Sequence, residues 1–184
     1  NQYLLQLALE KSELITRDGA EPLSGEALGQ LARQFLLARA AIERESRVID
    51  PLLQEAMLRV ARLSLKTEAE ANTALTLLNA QISADNLDLQ LLHDSKNDGW
   101  MIKITRKLHG NVMVSVLDQD FLDSNDYSEL VRTSDLLRGL FGPGAGVRRG
   151  ETTRPVSEFG EALDWLLAEA KKGMSIQRYK GLGE

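Results

Sequence analysis

The sequence has 184 residues, enough for one hydrophobic core of ordinary size or for two small ones. Its hydrophobic content of 43% and charged content of 27% are typical of folded domains, and the absence of cysteine excludes disulfides and thiolate metal sites. The formal net charge is −5, which argues against a free-standing DNA-binding module because the affinity of such modules comes mostly from neutralising phosphates.

Helical periodicity dominates residues 1–84. The apolar residues between Tyr3 and Leu14 predict a short amphipathic helix that ends before the next turn. Ser24 is a candidate N-cap for a long second helix, because its side chain can accept a hydrogen bond from the first turn. The apolar residues of that helix recur at spacings of three and four, which predicts one buried stripe: Leu28, Leu31, Phe35, Ala38 and Ile42.

Two further helices are predicted before residue 84. Pro51 suits the first turn of a third helix, whose apolar residues extend as far as Leu63. Thr67 and Glu70 have the spacing of a capping box, in which each side chain accepts a hydrogen bond from the backbone amide of the other residue. They predict the start of a fourth helix.

In residues 85–118 the apolar residues recur at every second position. Apolar residues alternate with polar ones in three runs, beginning near Leu87, Trp100 and Val112, and short polar turns separate the runs. Such alternation is typical of strands with one buried face. The segment therefore predicts a small antiparallel meander.

Helical periodicity returns over residues 119–174. We expect one helix from Tyr127 to Leu140, a flexible loop from Phe141 to Glu151, and a last helix opened by Ser157. Lys171 and Lys172 are expected at the negative C-terminal end of that helix, closed by Gly173. Helices segregated from strands along the chain predict an α+β fold.

The final residues, 175–184, form a separate segment that contains the sequence IQRYKGLGE. The run from Met174 to Tyr179 is strand-like, and Arg178 and Lys180 place two cations beside a glycine-rich end. Gly181 and Gly183 would allow a tight bend or a close approach of the backbone to a neighbour.

This C-terminal segment closely resembles a signature of the B subunit of bacterial DNA gyrase, and the resemblance extends back to Arg148. In that family the signature follows the metal-binding Toprim domain, and in many Gram-negative members a large insertion separates the two. The chain resembles this insertion: residues 1–174 would be the insert domain, and residues 175–184 the segment that re-enters the Toprim region. The sequence is accordingly expected to be a piece of a larger enzyme.

The resemblance implies a parent enzyme that uses ATP and Mg²⁺ to introduce negative supercoils into double-stranded DNA. It implies assembly with gyrase A in an A2B2 complex, a cytoplasmic location and no association with membranes. It places no catalytic group and no cofactor in this chain, whose own role would be that of a structural buttress. DNA-proximal candidates are Lys171, Lys172, Arg178 and Lys180, with Gly181 and Gly183 shaping the backbone.

Two alternatives to the buttress remain. Asp118 and Asp120 follow a predicted strand as an Asp-x-Asp pair, which could hold Mg²⁺, although four aspartates in so short a run more often form a solvated helix-capping loop.

Gly142, Gly144 and Gly146 suggest a phosphate cradle, but the Lys-Ser/Thr ending of a P-loop does not follow, so a connector is the better interpretation.

The second alternative is an autonomous DNA-binding module. Residues 147–183 contain seven basic and five acidic side chains, whereas residues 82–130 contain four basic and nine acidic ones. A basic C-terminal side could contact DNA, although both segments could equally be ordinary solvated faces.

Overall fold

A computed structural model describes residues 2–82 and 86–183. Within them the helices are segregated from two antiparallel three-stranded sheets, so the predicted α+β class is confirmed. The chain divides into two compact units: unit 1 comprises residues 1–35 and 139–184, and unit 2 comprises residues 36–138. The predicted change from helix to strand between residues 84 and 85 lies outside the described residues.

The elements follow one another in this order. The helices are α1 (Gln2–Leu9), α2 (Gly25–Arg44), α3 (Pro51–Met57), α4 (Glu68–Gln81), α5 (Gln119–Leu122), α6 (Asn125–Leu137) and α7 (Phe159–Gly183). The strands are β1 (Ser12–Ile15), β2 (Leu87–Asp94), β3 (Gly99–Leu108), β4 (Asn111–Leu117), β5 (Gly146–Arg149) and β6 (Thr152–Pro155).

Unit 2 contains the predicted meander, in the order β2-β3-β4. A two-residue turn at His109 and Gly110, both with positive φ, joins β3 to β4, as expected for a tight hairpin. The inner face of the sheet supplies Ile102, Ile104 and Leu117 to a core that also includes residues of α2, α3, α4 and α6. Alternation thus predicted the buried side correctly for β2 and β3. It was wrong for β4, whose valines at 112, 114 and 116 lie on the exposed face, because the pairing of Ile104 with Ser115 and of Ile102 with Leu117 puts Ser115 and Leu117 on the inner face.

Asp50 connects the start of α3 to this sheet. Its Oδ1 accepts a hydrogen bond from the amide of Leu52 and caps the helix, and its own amide donates to Ser115 Oγ on β4. Asp50 Oδ2 lies 3.0 Å from Arg106 Nε on β3. This contact is an ion pair and not a hydrogen bond, because the buried Nε–H has no aligned acceptor.

Residues 58–66 are irregular but carry buried side chains, so their backbone needs partners from elsewhere. Side chains supply them: Tyr127 Oη accepts from the amide of Leu63 at 2.7 Å, and Ser134 Oγ donates to the carbonyl of Val60 at 2.5 Å. The third helix ends at Met57, before this segment, so the prediction that it extends to Leu63 is wrong.

Unit 1 holds a second sheet, in the order β1-β5-β6, that the sequence did not predict. The first helix ends at Leu9, and Leu14 lies on β1, where it pairs with Val147. The predicted flexible loop after residue 140 is likewise wrong in part, since β5 begins at Gly146. β1 and β5, of four residues each, pair across about 130 positions, so no local pattern predicts their pairing.

Helix α7 is longer than predicted. Its buried residues are those expected from the pattern: Phe159, Ala162, Leu163, Leu166 and Ala170. The helix does not close at Gly173 but continues to Gly183, so the strand predicted from Met174 to Tyr179 is helical. Once a packed first half has nucleated a helix, each further residue adds a hydrogen bond at little cost, and Met, Gln, Arg and Lys are good helix formers.

Candidate functional site

The four DNA-proximal candidates all lie on the second half of α7. Lys171, Lys172, Arg178 and Lys180 are exposed, and the pair of lysines is interior to the helix, so its predicted position at the negative end of a helix is wrong. Lys172 Nζ lies 3.6 Å from Glu169 Oε1. Lys171, Arg178 and Lys180 have no acidic partner among the described residues, which leaves their charges available.

Helical geometry divides these cations between faces. Lys171 and Arg178 are seven residues apart and lie on the same side of α7, since two turns contain about seven residues. Lys180 is nine residues from Lys171 and lies on roughly the opposite side, at about 100° per residue. The structure therefore brings two of the four cations onto one face and separates Lys180 from them.

Gly181 and Gly183 do not form the predicted bend. Gly181 is helical, a Cβ at this position would meet no atom within 4 Å, and Gly183 is the last residue of α7. The close backbone approach expected here is thus not made within the described part of the chain. Tyr179, on the same segment, is 80% exposed.

The basic excess of residues 147–183 does not persist in the folded unit. Unit 1 contains ten basic and eleven acidic residues, because residues 1–35 add five acids and three bases. Arg148 on β5 illustrates the compensation, since it forms an ion pair of 2.6 Å with Glu13 on β1. The net charge of unit 1 therefore does not favour binding to phosphates.

The Asp-x-Asp pair serves the fold. Asp118 is the N-cap of α5, with Oδ1 accepting from the amide of Phe121 at 3.0 Å, and Asp120 Oδ2 lies 3.8 Å from Lys96 Nζ. A hard cation needs several converging oxygens, and no group of three or more His, Asp or Glu side chains in residues 2–82 and 86–183 could hold one. The pair thus offers at most two carboxylates, one of which caps a helix.

The glycine-rich segment is fastened to the end of β1. The amide of Gly142 donates to the carbonyl of Thr16, the amide of Asp18 donates to the carbonyl of Pro143, and Arg17 donates to two carbonyls just before them. Gly144 has a φ of +85°, and a Cβ there would lie 1.9 Å from Asp18 Oδ1. A carboxylate at this position would repel a phosphate, so the segment is an anchored connector.

The sequence did not predict one cluster of charged residues, formed by Arg44, Glu45 and Asp126. Arg44 on α2 lies 2.7 Å from Asp126 on α6, and the guanidinium holds the pKa of the Asp126 carboxyl below its usual range. Hydrogen bonding to Asp126 raises the pKa of Glu45. The available signal was that Arg44 is in the last turn of its helix and Asp126 in the first turn of its own, where each charge suits the helix dipole.

Comparison with protein families decides the assignment. A family model described as the DNA gyrase B subunit insert domain matches residues 12–170. This range covers most of the chain, including the cores of both units.

The chain belongs to the DNA gyrase B subunit insert domain family.

The resemblance inferred from the C-terminal signature is thereby confirmed, and it is confirmed by other residues, since the matched range ends before Ile176. The chain is part of a gyrase B subunit, that is, of a topoisomerase subunit. No helix within residues 2–82 and 86–183 combines the length and the apolar character needed to cross a membrane.

Proposed function

We propose that this gyrase B insert domain acts as a structural buttress that helps to couple ATP hydrolysis to the passage of one DNA segment through another. It would pack on the Toprim region of the same polypeptide and contact gyrase A within an A2B2 enzyme in the cytoplasm. The ATP and Mg²⁺ of the parent enzyme would be bound outside this chain, consistent with the use of Asp118 for helix capping.

One observation carries the proposal: a single helix joins a packed core to the signature segment. The first half of α7 is buried in unit 1 through residues such as Phe159 and Leu166, whereas everything from Ser175 to Gly181 is exposed. A helix of 25 residues is about 37 Å long and rigid over that distance. Displacement of the signature segment would therefore be transmitted to the core of unit 1.

Gly173, at the junction of the two halves, allows a direct test in the intact enzyme. Proline there would remove a helical hydrogen bond and clash with the preceding turn, whereas alanine meets no atom within 4 Å. We expect Gly173→Pro to lower supercoiling per ATP hydrolysed, while Gly173→Ala retains it. Deletion of residues 1–174 should have a larger effect, and unchanged supercoiling and DNA-stimulated ATPase in the deletion would overturn the buttress.

Direct contact with double-stranded DNA is a second candidate, favoured by the exposed cations Lys171 and Arg178, for which residues 2–82 and 86–183 offer no acidic partner. It predicts binding that weakens with salt, and each lost phosphate contact should reduce the slope by about one. Fluorescence anisotropy of Lys171→Gln with Arg178→Gln would be compared with the same change at the exposed Lys66 of unit 2. Absence of binding at low salt, or equal slopes for both variants, would remove this candidate.

A further inference from the structure

Strand β4 is an edge strand without the usual protection. It pairs with β3 alone in the sheet, and its seven residues, NVMVSVL, include no charge, no proline and no glycine. Natural edge strands normally carry a charged side chain, a proline or a bulge that prevents pairing with another chain. The other edges of the two sheets have such features, as Asp88 on β2 and Pro155 on β6 illustrate.

The alternation of hydrogen-bonded and non-hydrogen-bonded pairs between β3 and β4 shows which backbone groups of β4 face away from β3. After a two-residue turn, the flanking residues Leu108 and Asn111 form the hydrogen-bonded pair, and bonded pairs then recur at every second position. The amide of Lys107 accordingly donates away from β4, to the carbonyl of Asn86. The free N–H and C=O groups at the open edge therefore belong to Val112, Val114 and Val116.

The side chains of the same three valines are exposed. They are 58%, 56% and 38% accessible and lie on one face of the sheet, because they alternate along the strand. The open edge thus combines three pairs of free backbone groups with a continuous apolar stripe. An added antiparallel strand would satisfy the first and cover the second.

The stripe is complementary to itself. If a second copy of β4 approaches antiparallel with a two-fold axis at Val114, this residue faces its own equivalent, and Val112 faces Val116 of the second copy. All three pairs fall at positions whose N–H and C=O groups point towards the other copy, so the register satisfies every outward backbone group. The result is a six-stranded sheet with six contiguous valines on one face.

Charge does not oppose this arrangement. The nearest cations on the valine face are Lys103 and Lys107 of β3, paired with Val116 and Val112. The two copies of β3 would be three strand spacings apart, about 14 Å, which exceeds the Debye length of about 8 Å at physiological salt. We propose that two copies of this chain associate through antiparallel pairing of their β4 strands about Val114.

The association is reversible and depends on concentration. An interface one strand wide is smaller than the roughly 1,200–2,000 Å² that stable complexes bury. Sedimentation equilibrium from about 10 µM to about 1 mM, a range that spans weak association, should show a monomer–dimer transition. Val114→Lys places two like charges opposite one another and should abolish it, whereas the same change at Leu136, an equally exposed residue of α6, should not.

Cysteine pairing tests the register, because residues 1–184 contain no cysteine. Val114→Cys should oxidise to a dimer much faster than Leu136→Cys, since the facing Cα atoms would be about 5.5 Å apart, within disulfide range. A mixture of Val112→Cys and Val116→Cys should form mainly the heterodimer. A chain that stays monomeric to the highest concentration, dimers unaffected by Val114→Lys, or equal oxidation rates at Val114 and Leu136 would each overturn the proposal.

Discussion

At the scale of single residues, side chains take the place of missing secondary structure. The segment of residues 58–66 has no regular hydrogen-bond ladder, and Tyr127, Ser134 and Gln119 bond its backbone from α6 and α5. Burial raises the pKa of Tyr127, as expected for a phenol held away from water. The stability of unit 2 therefore depends on the hydrogen bonds of these three side chains as well as on its apolar core.

Tyr127→Phe should destabilise the fold by about 1–3 kcal/mol, because the buried amide of Leu63 loses its acceptor while the ring still fills its space. Urea unfolding followed by circular dichroism would measure the change. Tyr179→Phe is the matched control, since that ring is exposed, and it should have no effect. Equal stability of both variants would show that Tyr127 does not hold the segment.

The cluster of Arg44, Glu45 and Asp126 predicts that its two carboxyls stabilise the fold in opposite pH ranges. The pKa of Asp126 is lowered, first by its hydrogen bond to Arg44, so its stabilisation exists above its unfolded pKa and is lost as pH falls through the folded value. The pKa of Glu45 is raised, first by its hydrogen bond to Asp126, so its contribution exists below the unfolded pKa and is lost as pH rises through the folded one.

Carboxyl carbon NMR as a function of pH would separate the two groups. Arg44→Met should raise the pKa of Asp126 because its main partner is gone, and it should not lower that of Glu45, which Arg44 depresses. Substitution of Arg132, which pairs with Glu129, removes a charge of the same sign and serves as the control. Unchanged titration of Asp126 in Arg44→Met would contradict the cluster.

At the scale of elements, the pattern of apolar residues predicted the buried faces of the long helices better than it predicted where elements end, and it predicted the wrong buried face for β4. All five stripe residues of α2 and all five inner residues of α7 are buried, and the three runs of alternation became β2, β3 and β4. Thr67 Oγ1 accepts from the amide of Glu70 at 3.1 Å, which is one half of the predicted capping box, and the Thr67 hydroxyl in turn donates to Glu70 Oε1. Long periodic segments are decided locally, so they could be predicted from the sequence.

Gly144→Ala should weaken the connector between α6 and β5. A left-handed backbone costs a non-glycine residue about 1–2 kcal/mol, and the new Cβ would displace the Asp18 carboxylate. Thermal unfolding would measure the loss. Gly173→Ala is the control and should stabilise α7 by about 0.5–1 kcal/mol, because its site is open and helical. If Asp18→Ala did not relieve part of the cost of Gly144→Ala, the clash would not be the cause.

At the scale of the whole molecule, the two units differ in how the chain builds them. The principal buried cluster runs from Ala38 to Val131 and lies entirely within unit 2, whereas unit 1 needs both ends of the chain to complete its sheet. Unit 2 therefore depends on contacts of shorter sequence separation, which form with less loss of chain entropy.

A fragment of residues 36–138 should accordingly fold by itself, and its amide resonances for β2, β3 and β4 should match those of the full chain. A fragment of residues 1–138 should show the same resonances but lose the structure of β1, because β5 is absent. Heteronuclear NMR would decide both cases. A collapsed spectrum from residues 36–138 would mean that the cluster needs unit 1.

The sequence by itself determined the family, the α+β class, the meander and the buried faces of the long helices, because each depends on residue spacing within a short stretch. It also indicated that the run of aspartates after Leu117 forms a helix-capping loop, and Asp118 does cap α5 by accepting from the amide of Phe121. Only the tertiary structure decided the second sheet, the anchored glycine segment and the course of the signature residues. Residues 12–15 of β1 pair with residues 146–149 of β5, and α7 extends through the signature from a half that is packed in unit 1, so neighbours distant in sequence set these features.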